Sequence, residues 1–227
     1  MYVDRVMHTD LVTISPDTPV AEARDILLQK GIDHLLVVDG SGHLKGIISD
    51  RDIKQSWASP ATSLSVHELN YLLSRLTVEM VMIRKIISIS PDTTIERAAL
   101  LMQKNRIRAL PVKDGEKLVG IITTTDVMGV LLSAIGIDQE SRRLVVLVER
   151  DRIGVVAEIT KILKENHVNI VSLFAWPDPE YPGVHHLVMR VPGPDGDRAV
   201  SALEAGGYRV MISYAPDLAP YLTPRQG

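Results

Sequence analysis

The chain has 227 residues, 45% hydrophobic and 23% charged, a composition that suits ordinary globular domains with buried cores and excludes disorder on a large scale. A net charge of -3 excludes the broad cationic field of an electrostatic nucleic-acid binder and leaves room only for a local basic pocket. The absence of cysteine excludes disulfides, thiolate zinc sites and cysteine nucleophiles; with no apolar run at Met1–Arg5 and no uncharged stretch of spanning length, a cytoplasmic location without a membrane partner is expected.

A first strand is predicted at Leu11–Ile14, ending in Ser15-Pro16-Asp17-Thr18, where the Asp and Thr side chains can satisfy free N–H groups of the following helix. That helix runs from Pro19, in its first turn, to Lys30, with Val20, Ala23 and Leu27 at helical spacing and Gly31 closing it. Leu35–Val38 reads as a buried strand, Asp39-Gly40-Ser41-Gly42 as a hairpin turn and Leu44–Ile48 as the returning strand. Trp57–Ser63 is turn-rich, and Ser65 with Glu68 fits a capping box opening a connector helix to about Arg75.

The pattern then recurs. Val6-Met7, Ile14-Ser15-Pro16-Asp17-Thr18 and Gly46-Ile47-Ile48-Ser49 return as Val81-Met82, Ile89-Ser90-Pro91-Asp92-Thr93 and Gly120-Ile121-Ile122-Thr123, offset by 75 positions before the hairpin and 74 after it. Ile95, Ala98 and Met102 form the second helix face, and Asp114-Gly115 the second hairpin. Two such copies are expected to pack around a pseudo-twofold axis, with function at their junction. From Leu144 the predicted order is strand (Leu144–Glu149), helix (Gly154–Glu165), strand (Val168–Ala175), strand (His185–Val191), helix (Asp197–Ala205) and strand (Tyr208–Ser213). This βαββαβ order is ferredoxin-like. The whole is an α/β (α+β) protein with a first module over 1–60, a connector over 61–76, a second module over 77–136, a third domain over 142–215 and an irregular Pro-rich tail over 216–227.

Each repeat ends in a hydroxyl residue three positions before an aspartate, Ser49 with Asp52 and Thr123 with Asp126. At a strand-to-helix junction, a hydroxyl and backbone N–H groups can cradle a phosphate while the carboxylate accepts hydrogen bonds from a ribose diol. For either copy alone a helix cap is the simpler reading; the recurrence favours binding. His185 and His186, adjacent in a strand, point to opposite faces and cannot chelate one ion, so one is expected buried and the other exposed. Walker A, GxGxxG and zinc-protease patterns are missing, and Gly40, Gly42 and Gly46 read as hairpin glycines. Phe174-Ala175-Trp176 reads as core or dimer contact rather than a base-stacking platform. No catalytic residue or metal site is expected.

The repeat register, Leu110-Pro111-Val112 and both Gly-x-x-Ser/Thr-x-x-Asp endings resemble tandem CBS domains, a Bateman pair, over about Met1 to Ile135. The resemblance implies no obligatory cofactor, but a regulatory AMP, ADP, ATP or S-adenosylmethionine in clefts between the modules. By position, one cleft would combine Thr18 and Ala23 with Thr123 and Asp126, and the other Thr93 and Ala98 with Ser49 and Asp52. Backbone at Ile32 to His34, or Ile107 to Ala109, would line the adenine. Where the family often places a phosphate-binding cation, copy two has Arg108 and copy one has Asp33. The cleft of Arg108, Thr18, Thr123 and Asp126 is therefore expected to take the phosphorylated nucleotide, and an Asp33 cleft to be empty or hold a less negative ligand.

The third unit resembles an ACT domain, on its βαββαβ order, Asp151-Arg152-Ile153-Gly154 and Asn166-His167-Val168-Asn169-Ile170, with Ile153 where the family commonly has proline. The resemblance implies an amino-acid site at Asp151, Gly154 and Asn169; the alternative is that Gly154 only starts a helix and Asn169 only fills a turn. Both resemblances imply a non-enzymatic ligand sensor, a homodimer, and an unidentified regulated protein. The rivals are an enzyme using Asp52, Asp126 or His186, for which no nucleophile, metal or cofactor is visible, and a DNA-binding regulator using Arg84-Lys85 and Arg142-Arg143, short clusters in an acidic chain.

Overall fold

The computed structural model describes residues 1–56, 75–137, 139–149 and 153–222, and the chain divides into two compact units, Met1–Met128 and Gly129–Gly227. The Trp57–Ser63 turn and the connector helix up to residue 74 lie outside the described residues.

In the first module, β1 (Thr13–Ile14), α1 (Val20–Lys30), β2 (His34–Val38), β3 (Leu44–Ser49) and α2 (Asp50–Ser56) follow the predicted order, with β2 central, parallel to β1 and antiparallel to β3. The first strand is shorter than predicted, because only Thr13 and Ile14 come into register with Leu36 and Val37. Pro19 is the N-cap of α1 rather than part of its first turn, and neither Asp17 nor Thr18 caps it: the Val20 N–H donates to the Leu76 carbonyl at 2.9 Å instead. Gly31 closes the helix at φ 63°, in the left-handed region.

The second module contains α3 (Val78–Val81), α4 (Ile95–Asn105), β4 (Ala109–Asp114), β5 (Lys117–Thr123) and α5 (Thr124–Ile135). Thr94 caps α4, accepting the Arg97 N–H at 3.2 Å. The counterpart of β1 contracts to Ile89, a single bridge to Val112.

The two modules exchange their leading arms. The Val3 N–H donates to the Thr93 carbonyl at 2.9 Å, and His8 bridges Ile121 through hydrogen bonds of 2.9 and 3.0 Å, so the arm that precedes module one lies on module two. Reciprocally, the Val78 N–H donates to the Thr18 carbonyl at 2.9 Å, and Ile83 bridges Ile47 at 2.9 and 3.1 Å. Each arm sets a methionine against a glycine of the last strand: a Cβ on Gly46 would sit 2.3 Å from Met82 Sδ, and one on Gly120 2.5 Å from Met7 Sδ. Gly46 is thus a close-approach glycine in β3, not a hairpin glycine. Val78 and Met82 complete a core with Val20, Ala23, Leu27, Leu35, Val37 and Ile48.

The second unit consists of β6 (Ser141–Glu149), α6 (Val155–Glu165), β7 (Ser172–Pro177), β8 (Val184–Pro192), α7 (Gly196–Ala205) and β9 (Val210–Met211), with sheet order β7-β8-β6-β9. One face, including Leu144, Val146, Met189 and Val191, packs on the helices through Ile159, Leu163, Ala199 and Leu203. β7 begins later than predicted because Val168 still bonds back to the Leu163 carbonyl at 2.9 Å, in a turn where His167 has φ 56°. β9 is shorter, since only Val210 and Met211 pair with β6. The described part of the tail is not irregular throughout, since Ala219–Tyr221 form a 3-10 turn, and Leu218, Tyr221 and Leu222 pack against Val145, Leu147, Val184, Val188 and Met211 on the second sheet face, while Arg209 donates to the Leu222 carbonyl at 2.8 Å. Trp176 is 60% and Phe174 36% exposed, so neither is core of this chain.

Replacing Gly46 by Val should lower stability by about 1–3 kcal/mol through overpacking. Adding Met82→Ala should return part of that loss, as non-additivity in urea unfolding of the single and double variants.

Candidate functional site

The strand-to-helix junctions of both modules are closed by the same box. The Ser49 N–H and hydroxyl donate to one Asp52 carboxylate oxygen at 2.8 and 2.6 Å, and the Asp52 N–H returns to Ser49 Oγ at 3.3 Å. Thr123 and Asp126 repeat this at 2.8, 2.7 and 3.4 Å. The hydroxyls therefore do cap α2 and α5. Each carboxylate keeps its other oxygen for the cleft: Asp126 Oδ1 meets His8 Nε2 at 2.9 Å, whereas Asp52 Oδ1 has no partner among the described residues.

Among the described residues, two cavities lie between the modules. In one, of about 340 Å³, Ser49 and Asp52 face the Ile107-Arg108-Ala109 turn, with Ile83 and Lys85 from the crossing arm. In the other, of about 530 Å³, Thr123 and Asp126 face Ile32-Asp33-His34, with His8 and Asp10 from the other arm. The turn backbones predicted to line an adenine thus lie opposite the Ser/Thr-x-x-Asp boxes. Thr18, Ala23, Thr93 and Ala98 line neither cavity. Ala23 and Ala98 are fully buried in the helix cores, and the Thr18 and Thr93 carbonyls hold the exchanged arms. Nor is there an Arg108 cleft distinct from an Asp33 cleft, because both residues line both cavities.

Burial pushes the Asp126 carboxyl up, but the Thr123 hydroxyl and N–H and the His8 imidazole outweigh it and hold it below its ordinary value. His34 lines both cavities with a buried Nδ1 that has no partner among the described residues. Desolvation lowers its pKa and Arg108 adds to that, against the opposing pull of Asp33 and Asp52. Sequence reasoning missed His8, Asp10 and Lys85, since only the arm exchange brings them to the clefts.

In the second unit, Gly154 is the N-cap of α6 at φ 99°, with open space where a Cβ would be, so bare backbone is presented there. Asn169 is exposed, and Asp151 lies outside the described residues. A cavity of about 260 Å³ borders Val155, Tyr208 and Tyr221 but includes neither Gly154 nor Asn169. His185 and His186 do occupy opposite faces, yet both are half-buried rather than one buried and one exposed. His186 Nε2 meets Asp178 at 2.6 Å, which holds that carboxyl below its ordinary value. Arg84 is held by the Glu79 carbonyl at 2.8 Å, and Arg142 pairs with Asp197. Among the described residues no cluster suits a metal ion, and no helix is long and apolar enough to cross a membrane.

Residues 3–58 and 78–133 each match the CBS domain family, and the chain belongs to the CBS-domain proteins. Residues 142–203 match the ACT domain, so the protein joins tandem CBS domains to a C-terminal ACT domain. A CBS domain-containing protein of Dictyostelium discoideum is 31% identical over 134 residues, 59% of this chain and 92% of that protein. Homoserine O-acetyltransferase of Methanosalsum zhilinae is 32% identical over 126 residues, 55% of this chain but 23% of the enzyme, so the chain spans under a quarter of that relative's length. A structure of an acetoin utilization protein (AcuB) from Vibrio cholerae is similar at 25% identity and a TM-score of 0.50, over 61% of this chain and 95% of that one. The CBS domain pair of protein MJ0100, solved with 5'-methylthioadenosine and S-adenosyl-L-methionine, is similar at 27% identity and a TM-score of 0.49, over 59% of this chain and 97% of that one.

Thr123→Ala should cost about 0.5–2 kcal/mol as a lost cap. Because the folded Asp126 pKa lies below its ordinary 3.8, its contribution is fully present above that value and is lost as pH falls through the depressed pKa. Asp126→Asn should flatten this acid limb in denaturant midpoints measured against pH.

Proposed function

We propose that the CBS pair is a sensor for an adenosine-containing ligand, AMP, ADP, ATP or S-adenosylmethionine, held in the clefts between the modules. The observation that carries this reading is the repeated box: in each cleft a carboxylate locked by its own helix start looks across a cavity at the turn backbone of the other module. The turn amides and carbonyls of Ile32–His34 and Ile107–Ala109 would take the base edge, and Asp52 or Asp126 the ribose diol. In the Asp126 cleft the diol displaces His8 from Oδ1. Cavities of about 340 and 530 Å³ are of the size that small-molecule sites occupy.

A ligand that touches both modules binds one arrangement of them more tightly than another, and so biases that arrangement. The protein is then a cytoplasmic homodimeric regulator rather than an enzyme, passing ligand occupancy to a partner protein, with Gly154 and Asn169 as an amino-acid site in the ACT domain. The stretch shared with homoserine O-acetyltransferase is a minor part of that enzyme, which supports a shared module rather than a shared activity.

A thermal-shift screen of the full chain with AMP, ADP, ATP, S-adenosylmethionine and the amino acids tests this, since a ligand selective for the folded state raises its apparent stability. At least one adenosyl compound should shift the melting temperature, and the combined Asp52→Ala and Asp126→Ala chain should lose that shift. No shift with any adenosyl compound at millimolar concentration, or a shift untouched by both substitutions, removes the reading. Light scattering should give twice the chain mass; a monomer would count against the homodimer.

A further inference from the structure

The two clefts are built on one frame but carry opposite charge, and equivalent positions of the repeat account for the difference. On the Asp52 side the cavity is lined by Arg51, Lys85, Arg106 and Arg108 against Asp33, Asp50 and Asp52. Asp50 is itself paired with Lys54. On the Asp126 side the only arginine or lysine among the described lining residues is Arg108, against Asp10, Asp33 and Asp126. Three cations of the first cleft have repeat counterparts in the second: Lys85 corresponds to Asp10, Arg106 to Gly31 and Arg51 to Thr125. His8, which occupies Asp126 Oδ1 at 2.9 Å, corresponds to Ile83, which leaves Asp52 Oδ1 without a partner among the described residues.

Resting on the adenosyl reading above, we infer that the clefts divide ligands by charge: the Asp52 cleft takes a phosphate-bearing adenine nucleotide, its phosphates on Lys85, Arg106 and Arg51, and the Asp126 cleft excludes it. This reverses the assignment drawn from Arg108 against Asp33, which gave the phosphate to the cleft of Asp126. Lys85, Arg106 and Arg51 are exposed, and no hydrogen bond or ion pair engages their side chains among the described residues, so they can turn to a phosphate without giving up a partner among those residues. In the Asp126 cleft a phosphate would instead meet Asp10 and Asp33, a repulsion that solvent screens incompletely in a concave site. An uncharged nucleoside, or an adenosyl compound bearing a cation, escapes that penalty.

The test is calorimetric titration of the full chain with AMP and with adenosine, which share base and ribose and differ in the phosphate. Lys85→Glu/Arg106→Glu changes two exposed side chains and should leave the melting temperature near that of the parent chain. It should weaken AMP about tenfold or more, with a shallower salt dependence, and leave adenosine unchanged. Asp10→Lys should add a second AMP-binding event. Equal AMP affinity in the parent and charge-reversed chains, or AMP binding abolished by Asp126→Ala and untouched by Asp52→Ala, overturns the charge division while the adenosyl reading stands. If neither AMP nor adenosine binds the parent chain, the charge division fails, while the adenosyl reading falls only if ADP, ATP and S-adenosylmethionine also give no thermal shift.

Discussion

The reciprocal exchange of arms is the constraint on which the first unit depends. Neither module completes its own core or its own cleft: Val78 and Met82 fill module one, and the segment from Val3 to His8 closes module two. The backbone pairs His8–Ile121 and Ile47–Ile83 seat each arm beside the last strand of the opposite module, and the glycines at 46 and 120 admit the methionines that hold it. A side chain at either glycine would push an arm outward and open the cleft it borders. Packing and site are therefore one problem in this fold, since the residues that bury the core also carry His8, Asp10 and Lys85 to the cavities.

The Ser/Thr-x-x-Asp box shows how a helix cap and a binding carboxylate can be the same group. One carboxylate oxygen satisfies the strand-end N–H and hydroxyl, which places the side chain without help from a ligand. The other oxygen is then presented at a set position, so little rotamer freedom remains to be lost on binding. Desolvation opposes ionisation of Asp126, and its hydrogen bonds outweigh that opposition, which leaves an acceptor suited to a pair of hydroxyl donors. Capping is compatible with the proposed binding role, since the cap is what aims the carboxylate.

Much of this was legible in the sequence because it is local. The repeat offset, the helix faces of Val20, Ala23 and Leu27, the closing Gly31 and the βαββαβ order all follow from periodicity and turn chemistry over a few residues. The boxes were legible too, and so was the ambiguity between cap and site. What periodicity cannot carry is the pairing of segments far apart in the chain. Met82 against Gly46 leaves no local trace, so Gly46 read as a hairpin residue, and the arm residues His8, Asp10 and Lys85 were not placed at the clefts. Ala23 and Ala98 lie on the buried helix face that their spacing predicts, and neither lines the two cavities described. In the second unit the tail read as irregular from its prolines, while its apolar residues Leu218, Tyr221 and Leu222 cover the sheet.

Duplication explains why the frame is symmetric, and the sites need not be. The groups that hold the frame, the box, the glycine and the methionine, recur at matching positions, whereas the charged groups facing the cavities differ between the copies. Arg108 and Asp33 stand at the seam and belong to both clefts. On the proposed assignment Lys85, Arg106 and Arg51 hold the phosphate, and whatever share of Arg108 the phosphate also draws leaves the other cleft with its carboxylates less compensated and more favourable to a cation. Linkage then requires the converse, since a cationic ligand in the Asp126 cleft must favour phosphate in its neighbour by the same factor. On that assignment two clefts that share one guanidinium would not fill independently, and the asymmetry that separates their ligands is also what would couple them.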